Sequence, residues 1–221
     1  MIGIIVPAHN EQDFLDDCIK SLIAASSHEQ LKGEAVEIMI VLDDCTDDSA
    51  LIAQAHGVLT HPCCHRNVGM TRAAGAQLMI ERGARWLAFT DADTVVPYAW
   101  LADQVAFGAD AVCGIVQVDD WSEHSEQVRI RYDAHYRPVD DHRHIHGANL
   151  GVSSIAYQRV GGFRPLSAHE DVHLVQDLQR TDARIVWTAR NSVTTSARKH
   201  CRCKEGFGDY LNSLASQTLL G

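Results

Sequence analysis

Short, continuously apolar runs alternate with segments of helical spacing over about the first ninety residues. This alternation leaves the chain very few architectures. Residues 2–6 (Ile-Gly-Ile-Ile-Val), 36–42 (Val-Glu-Ile-Met-Ile-Val-Leu) and 86–90 (Trp-Leu-Ala-Phe-Thr) read as strands buried on both faces, with a short strand near 58–60. Strands of that kind occur in parallel sheets covered by helices on both sides. Asn10 is placed to cap the first intervening helix, with Glu11 and Asp13 in its first turn. Phe14, Leu15, Cys18, Ile19, Leu22 and Ile23 then follow helical spacing. Residues 46–55 and 67–82 read as two further helices. The prediction is an α/β fold with a Rossmann-like, mainly parallel central sheet and helices on both faces. Beyond Pro97 the pattern predicts helices at 97–108, 122–136 and 171–180 and an amphipathic one from about 206. Strands are expected at 111–118, 148–152, 184–188 and 192–196, so this half is more irregular and α+β in character.

A chain of 221 residues has room for one substantial core, and one domain over 1–221 is expected. With 46 % hydrophobic and 22 % charged residues it has the composition of a globular protein. A net charge of −10 argues against sequence-independent binding to nucleic-acid phosphate. No apolar run approaches the roughly 20 residues of a membrane-spanning helix. The opening Met-Ile-Gly-Ile-Ile-Val-Pro lacks the features of a signal peptide, so a cytoplasmic protein with no integral membrane segment is expected. Of the seven cysteines, Cys63-Cys64 and Cys201-x-Cys203 lack the paired spacing of a zinc site, and reduced thiols are expected. His142, His144 and His146 alternate, but without partner cysteines or an H-E-x-x-H frame they read as a polar loop beside the cleft.

In a parallel sheet, ligands gather at the carboxyl ends of the strands. Three polar clusters fall there: Ala8-His9-Asn10-Glu11, Asp43-Asp44, and Asp91 with Asp93 in Phe89-Thr-Asp-Ala-Asp93. In an extended chain, residues two apart point the same way. Two such carboxylates repel one another and resist desolvation. A hard divalent cation relieves both costs, and Mg²⁺ commonly takes one or two carboxylates and completes its shell with phosphate oxygens. The plainer alternative is a surface turn with two solvated aspartates. Arg66-Asn-Val-Gly-Met-Thr-Arg72 precedes this pair at a helix start, where backbone amides and an arginine suit a diphosphate. Asp44 is placed either to meet a nucleobase or ribose hydroxyl or to cap the helix after Cys45.

Taken in order, "IIVPAHNEQDFLDDCIKSL", "VLDDCTDDSA", "RNVGMTRAAGAQ", "FTDADTVVP", "HGANLGVSSIAYQRVGGF" and "HEDVHLVQDL" resemble the motifs of family 2 glycosyltransferases, across roughly residues 2–200. The resemblance implies a GT-A fold, with a nucleotide-sugar-binding half over 1–95 and an acceptor-binding and catalytic-base half over 96–221. It implies an inverting, single transfer from a nucleotide diphosphate sugar, UDP-sugar favoured and GDP-sugar possible, to an acceptor hydroxyl. By the same likeness Pro7, Ala8 and Glu11 line the nucleoside pocket, Asp44 meets the base and Arg72 lies near the diphosphate. Asp91 and Asp93 match the D-x-D pair that holds Mg²⁺ or Mn²⁺. Asp171 of Glu170-Asp171 matches the catalytic base, and Glu170 would position it or the acceptor. Inversion needs one base for the acceptor proton and positive charge on the departing diphosphate, so one carboxylate and one metal suffice.

The chain departs from the family in having His9 where an aromatic residue is usual, which leaves uridine against guanosine open. His200 is a candidate third metal ligand, as in some relatives, and Arg198 a candidate diphosphate contact. His146, Gly147 and Asn149 would border the acceptor, with Trp121 either stacking on a sugar or packing a helix. Two other functions compete. A sugar-phosphate nucleotidyltransferase would carry a glycine-rich basic loop after the first strand, where this chain has Pro-Ala-His-Asn-Glu-Gln-Asp. An inactive nucleotide-sugar-binding protein would have no need of both acidic pairs.

Overall fold

The computed structural model describes residues 1–199 and 206–216. Eight strands form one sheet: β1 (Ile2–Ala8), β2 (Val36–Asp43), β3 (Leu59–Cys63), β4 (Trp86–Phe89), β5 (Thr94–Val95), β6 (Ala111–Gln117), β7 (Leu150–Ser153) and β8 (Ile185–Thr195). Their order across the sheet is β3-β2-β1-β4-β7-β6-β8-β5. The helices are α1 (Leu15–Ser26), α2 (Ser49–Ala55), α3 (Val68–Glu81), α4 (Trp100–Ala106), α5 (Glu126–His135), α6 (Ser154–Arg159), α7 (Glu170–Gln179) and α8 (Phe207–Ser216). Among the described residues no helix is long and apolar enough to cross a membrane.

Strands β3, β2, β1 and β4 are all parallel, as the apolar runs predict. Their side chains divide between two cores. Ile2, Ile4 and Val6 of β1 join Ile38, Ile40 and Leu42 of β2 on one face, beneath Leu15, Ile19 and Leu22 of α1 and Trp100 and Leu101 of α4. Ile5, Met39, Val41, Leu87 and Phe89 join Ala76 and Met79 of α3 and Leu174 and Leu178 of α7 on the other. Two buried faces explain why these strands lack polar alternation.

The second half reverses direction. Strand β7 runs antiparallel to both β4 and β6, whereas β6 and β8 are parallel. The two strands expected at 184–188 and 192–196 are one strand, β8, with a register shift opposite Cys113 and Ile115. The irregular register breaks the alternation that a sequence pattern reads, so one strand looks like two. Helix α6 was not anticipated; it is one short turn capped by Ser153, whose hydroxyl accepts from the Ala156 amide at 3.2 Å.

Helix α1 begins at Leu15 rather than at a cap on Asn10. Asn10 instead adopts a left-handed conformation (φ 56°), and its Oδ1 accepts from the Thr46 amide at 2.7 Å. A short polar side chain tolerates that backbone, and here it ties the loop after β1 to the loop after β2. Helix α3 lies so close to the sheet that a Cβ on Gly75 would sit 2.6 Å from Ile5 Cγ2 and 2.8 Å from Val41 Cγ2. Gly75→Val should therefore lower the unfolding free energy by about 1–3 kcal/mol through overpacking, measurable by urea denaturation.

Candidate functional site

The carboxyl ends of β1, β2 and β4 open into a cleft of about 750 Å³, closed on the far side by residues 145–148, the start of α7 and the chain beyond β8. Among the described residues seven carboxylates line it (Glu11, Asp43, Asp44, Asp91, Asp93, Glu170 and Asp171) against three arginines (66, 72 and 198), an excess of four formal negative charges. Pro7, Ala8, His146 and Gly147 also line it.

Asp43 organises the first wall. Its Oδ1 accepts from the Arg66 amide at 2.9 Å, and its Oδ2 from the Asn67 amide at 3.1 Å and the Thr71 hydroxyl at 2.8 Å. Burial pushes this carboxyl up, but the bonds from Arg66, Thr71 and Asn67 outweigh burial and hold it below the usual range. Asn67 Oδ1 in turn accepts from the Met70 amide at 2.9 Å. The amides of Arg66, Asn67 and Met70 are thus bonded within the protein around the start of α3. Sequence reasoning passed over Asp43 in favour of Asp44, although its place as the last residue of β2 marked it. Asp44 faces the cleft from a left-handed position (φ 52°) and accepts from Arg66 Nε at 2.5 Å. It does not cap α2, whose N-cap is Asp48.

The D-x-D segment is a turn rather than an extended strand end. Strand β4 stops at Phe89, and the Thr94 amide donates to Asp91 O at 3.1 Å. Both aspartates still reach the cleft, each through its own arginine. Asp91 Oδ1 lies 2.5 Å from Arg72. Asp93 Oδ2 lies 3.1 Å from Arg198, which also grips Glu11 with two bonds of 2.6 and 2.8 Å. Desolvation, with the like charges of Asp91 and Glu11, pushes Asp93 up to about 7 against the pull of Arg198. Carboxylates gathered with less positive charge than they need behave in this way. The oxygen-only donor set of Asp91 and Asp93 fits a hard divalent ion whose remaining positions go to phosphate and water. Among the described residues no group of three His, Cys, Asp or Glu is placed to hold a metal, the histidines at 142, 144 and 146 included. His200, like Cys201 and Cys203, lies outside the described residues.

Arg72 joins the two halves of the site. It is only 4 % exposed and pairs with Asp91 on one side and with the buried Glu170 on the other. Burial, partly offset by Arg72, raises the pKa of Glu170. The guanidinium lies against residue 147, where any Cβ would collide with it, so glycine is required there. The Gly147 amide donates to Asp171 Oδ2 at 2.7 Å, while Asp171 Oδ1 accepts from the Val172 amide at 2.7 Å. The side chain of Asp171, in the first turn of α7, is thereby fixed facing the cleft.

Asn149 does not border the cleft. It is fully buried, with Nδ2 donating to Ile115 O at 2.8 Å and Asn191 O at 2.9 Å and Oδ1 accepting from Trp100 Nε1 at 2.9 Å. Its role is to satisfy backbone carbonyls where β6 and β8 separate. Trp121 packs against Tyr132 at 5.2 Å rather than lining the cleft. Phe207 and Tyr210 of α8 do line it, a contribution that the amphipathic pattern of that helix did not single out.

The curled eight-stranded sheet, parallel at one end and mixed at the other, with a cleft at its strand ends, is a GT-A fold. The sequence profile of glycosyl transferase family 2 matches residues 3–164, and the chain belongs to that family. Nothing among curated protein sequences matches it. Among the solved structures that share the fold, three are similar over most of this chain. TarS 1–349 of S. aureus in complex with UDP-GlcNAc has 14 % identity and a TM-score of 0.68 over 96 % of this chain and 64 % of that one. The mannosyltransferase PcManGT of Pyrobaculum calidifontis, with GDP-Man and Mn²⁺, has 16 % identity and a TM-score of 0.66 over 95 % of this chain and 59 % of that one. GalNAc-T7 with UDP, GalNAc and Mn²⁺ has 14 % identity and a TM-score of 0.65 over 88 % of this chain and 43 % of that one. The chain thus spans less than two thirds of the length of each.

Two outcomes follow for stability. Arg72→Met leaves Asp91 and Glu170 without their shared cation and should cost about 3–5 kcal/mol in urea unfolding. His146, set in the cleft wall, is held down to about 3 by desolvation and by His144 and His142, against an ordinary value of 6.5. Its folded pKa is the lower one, so the associated stability is present above pH 6.5 and is lost as the pH falls below it. His146→Phe should lessen the acid sensitivity by about 1.4 kcal/mol per pH unit between pH 6 and 4, read from unfolding curves across that range.

Proposed function

We propose that this protein is an inverting, divalent-metal-dependent glycosyltransferase, moving a sugar from a nucleotide diphosphate sugar to an acceptor hydroxyl. The observation that carries the reading is the bonding of one arginine, Arg72, to both Asp91 and Glu170, which draws the D-x-D and E-D motifs into a single cleft. Residues 1–95 supply the donor half, with Pro7, Ala8, Glu11 and Asp44 around the nucleoside. Residues 96–221 supply the acceptor and base half. UDP-sugars are favoured, with GDP-sugars second; the similar structures that hold UDP-GlcNAc, UDP and GDP-Man support a nucleotide sugar without deciding between them.

Asp91 and Asp93 would hold Mg²⁺ or Mn²⁺, and the Mn²⁺ in two of the similar structures supports that assignment. A divalent ion there supplies positive charge to the departing diphosphate. Asp171 takes the acceptor proton as the acceptor oxygen attacks the anomeric carbon. The Gly147 amide on Oδ2 and the Val172 amide on Oδ1 aim that carboxylate. Buried Glu170 holds Arg72 rather than the acceptor, so it positions and does not react. A nucleotidyltransferase reading finds no support at β1, where the following loop is tied down by Asn10 and by the Glu11 amide on Ser49 Oγ at 2.8 Å.

UDP or GDP together with Mn²⁺ should raise the melting temperature more than either alone, by the equivalent of about 2.7 kcal/mol at a hundred times Kd. Asp171→Asn should keep that shift while turnover falls by about 10²–10⁴-fold. Full turnover in the variant removes Asp171 from the reaction, and absence of any nucleotide shift sinks the donor assignment.

A further inference from the structure

A second cavity, of about 280 Å³, lies beside the main cleft and shares Ile145, His146, Phe207 and Tyr210 with it. Rings build its walls. Tyr136 stacks on His144 at 4.2 Å and on Tyr132 at 4.9 Å, and Phe207 meets Tyr132 and His146 edge-on at 6.0 and 6.2 Å. The cavity adjoins the candidate base, because the Gly147 amide that follows His146 is the one bonded to Asp171.

Several of its polar atoms are already bonded within the protein. The Tyr136 hydroxyl accepts from the Val116 amide at 3.0 Å and lies 3.0 Å from His146 Nε2. His144 Nε2 donates to Arg137 O at 3.2 Å, and His135 Nδ1 to Arg131 O at 2.7 Å. Among the described residues no carboxylate or arginine lines the cavity. A sugar ring placed there would find few partners for its hydroxyls beyond Tyr210 and the histidine ring nitrogens, and each hydroxyl left unpaired would cost about as much as a lost hydrogen bond. A flat apolar ring would bury none and would gain the edge and face contacts that aromatic rings favour.

We infer that this cavity is the acceptor site and that it takes an uncharged aryl alcohol or phenol, with the ring among Tyr136, His144 and Phe207 and the hydroxyl directed at Asp171. The inference rests on the proposed glycosyl transfer. In that step the acceptor oxygen bonds to the anomeric carbon and the bond from that carbon to the diphosphate oxygen breaks. The bonding pair leaves with the nucleoside diphosphate, and the acceptor proton passes to Asp171. No electrons enter or leave the system.

The whole protein, with Mn²⁺ and UDP-glucose, UDP-GlcNAc or GDP-mannose in turn, is given benzyl alcohol or methyl α-glucopyranoside. Release of nucleoside diphosphate is compared with the acceptor-free rate. Benzyl alcohol should raise release several-fold and the glucoside should leave it unchanged. His144→Ala should raise the KM for benzyl alcohol by about 2- to 10-fold, and His144→Phe, which keeps a ring, should restore it. The thermal shift with UDP or GDP reports that each variant is folded and binds nucleotide. Stimulation by the glucoside alone, or an unchanged KM in His144→Ala, overturns the assignment of the cavity while leaving the donor reading standing. Absence of both nucleotide binding and acceptor-free release overturns the donor reading, and the assignment with it.

Discussion

The site depends on one buried cation. Arg72 projects from α3, a helix packed against the strands of the first half, yet its partners Asp91 and Glu170 come from the turn after β4 and the start of α7. A guanidinium out of water must be paired, and its planar fork suits two carboxylates at once. The chain meets that requirement by bringing α7 down onto α3, and Asn67 Nδ2 donating to Leu166 O at 2.7 Å fixes the same approach. Once the loop before α7 is held there, Asp171 and the Gly147 amide meet with no other constraint needed. The pair that would handle the donor and the residue that would handle the acceptor are therefore placed by the same contact.

The order of strands explains why the cleft has two unlike walls. The four parallel strands end together, so their loops crowd one edge. Strand β7, running against β4, begins at that same edge and carries residues 146–149 into it from below. A sheet parallel throughout would have placed that segment at the opposite end. The reversal is what lets a wall of histidine and aromatic rings face a wall of acids.

Much of this was legible in the sequence, for identifiable reasons. The parallel half was readable because strands buried on both faces are continuously apolar, and Ile2–Val6 and Val36–Leu42 display that without ambiguity. The cleft-lining acids at 11, 44, 91 and 93 were readable because strand ends could be located, and those at 170 and 171 through the family resemblance. What escaped detection depends on partners distant in sequence. Asn149 was expected beside the acceptor from the family resemblance, and only the separation of β6 from β8 makes it a buried bridge. Asp43 was read only as one of an acidic pair at a strand end, because its three donors come from the chain twenty or more residues later. The turn at Asp91–Thr94 replaced the expected extended geometry because β5 has to swing away to pair with the distant β8.

Arg198 grips Glu11 across 187 positions of chain. Contacts of such long range form only after the intervening segments have collapsed, because closing so large a loop is entropically costly and slow. During synthesis the loop after β1 leaves the ribosome long before its clasp exists. Until β8 docks, Arg198 is not in place to hold Glu11 and Asp93, and this side of the cleft stays unlatched. A chain that stops short of Arg198 cannot assemble this end of the molecule.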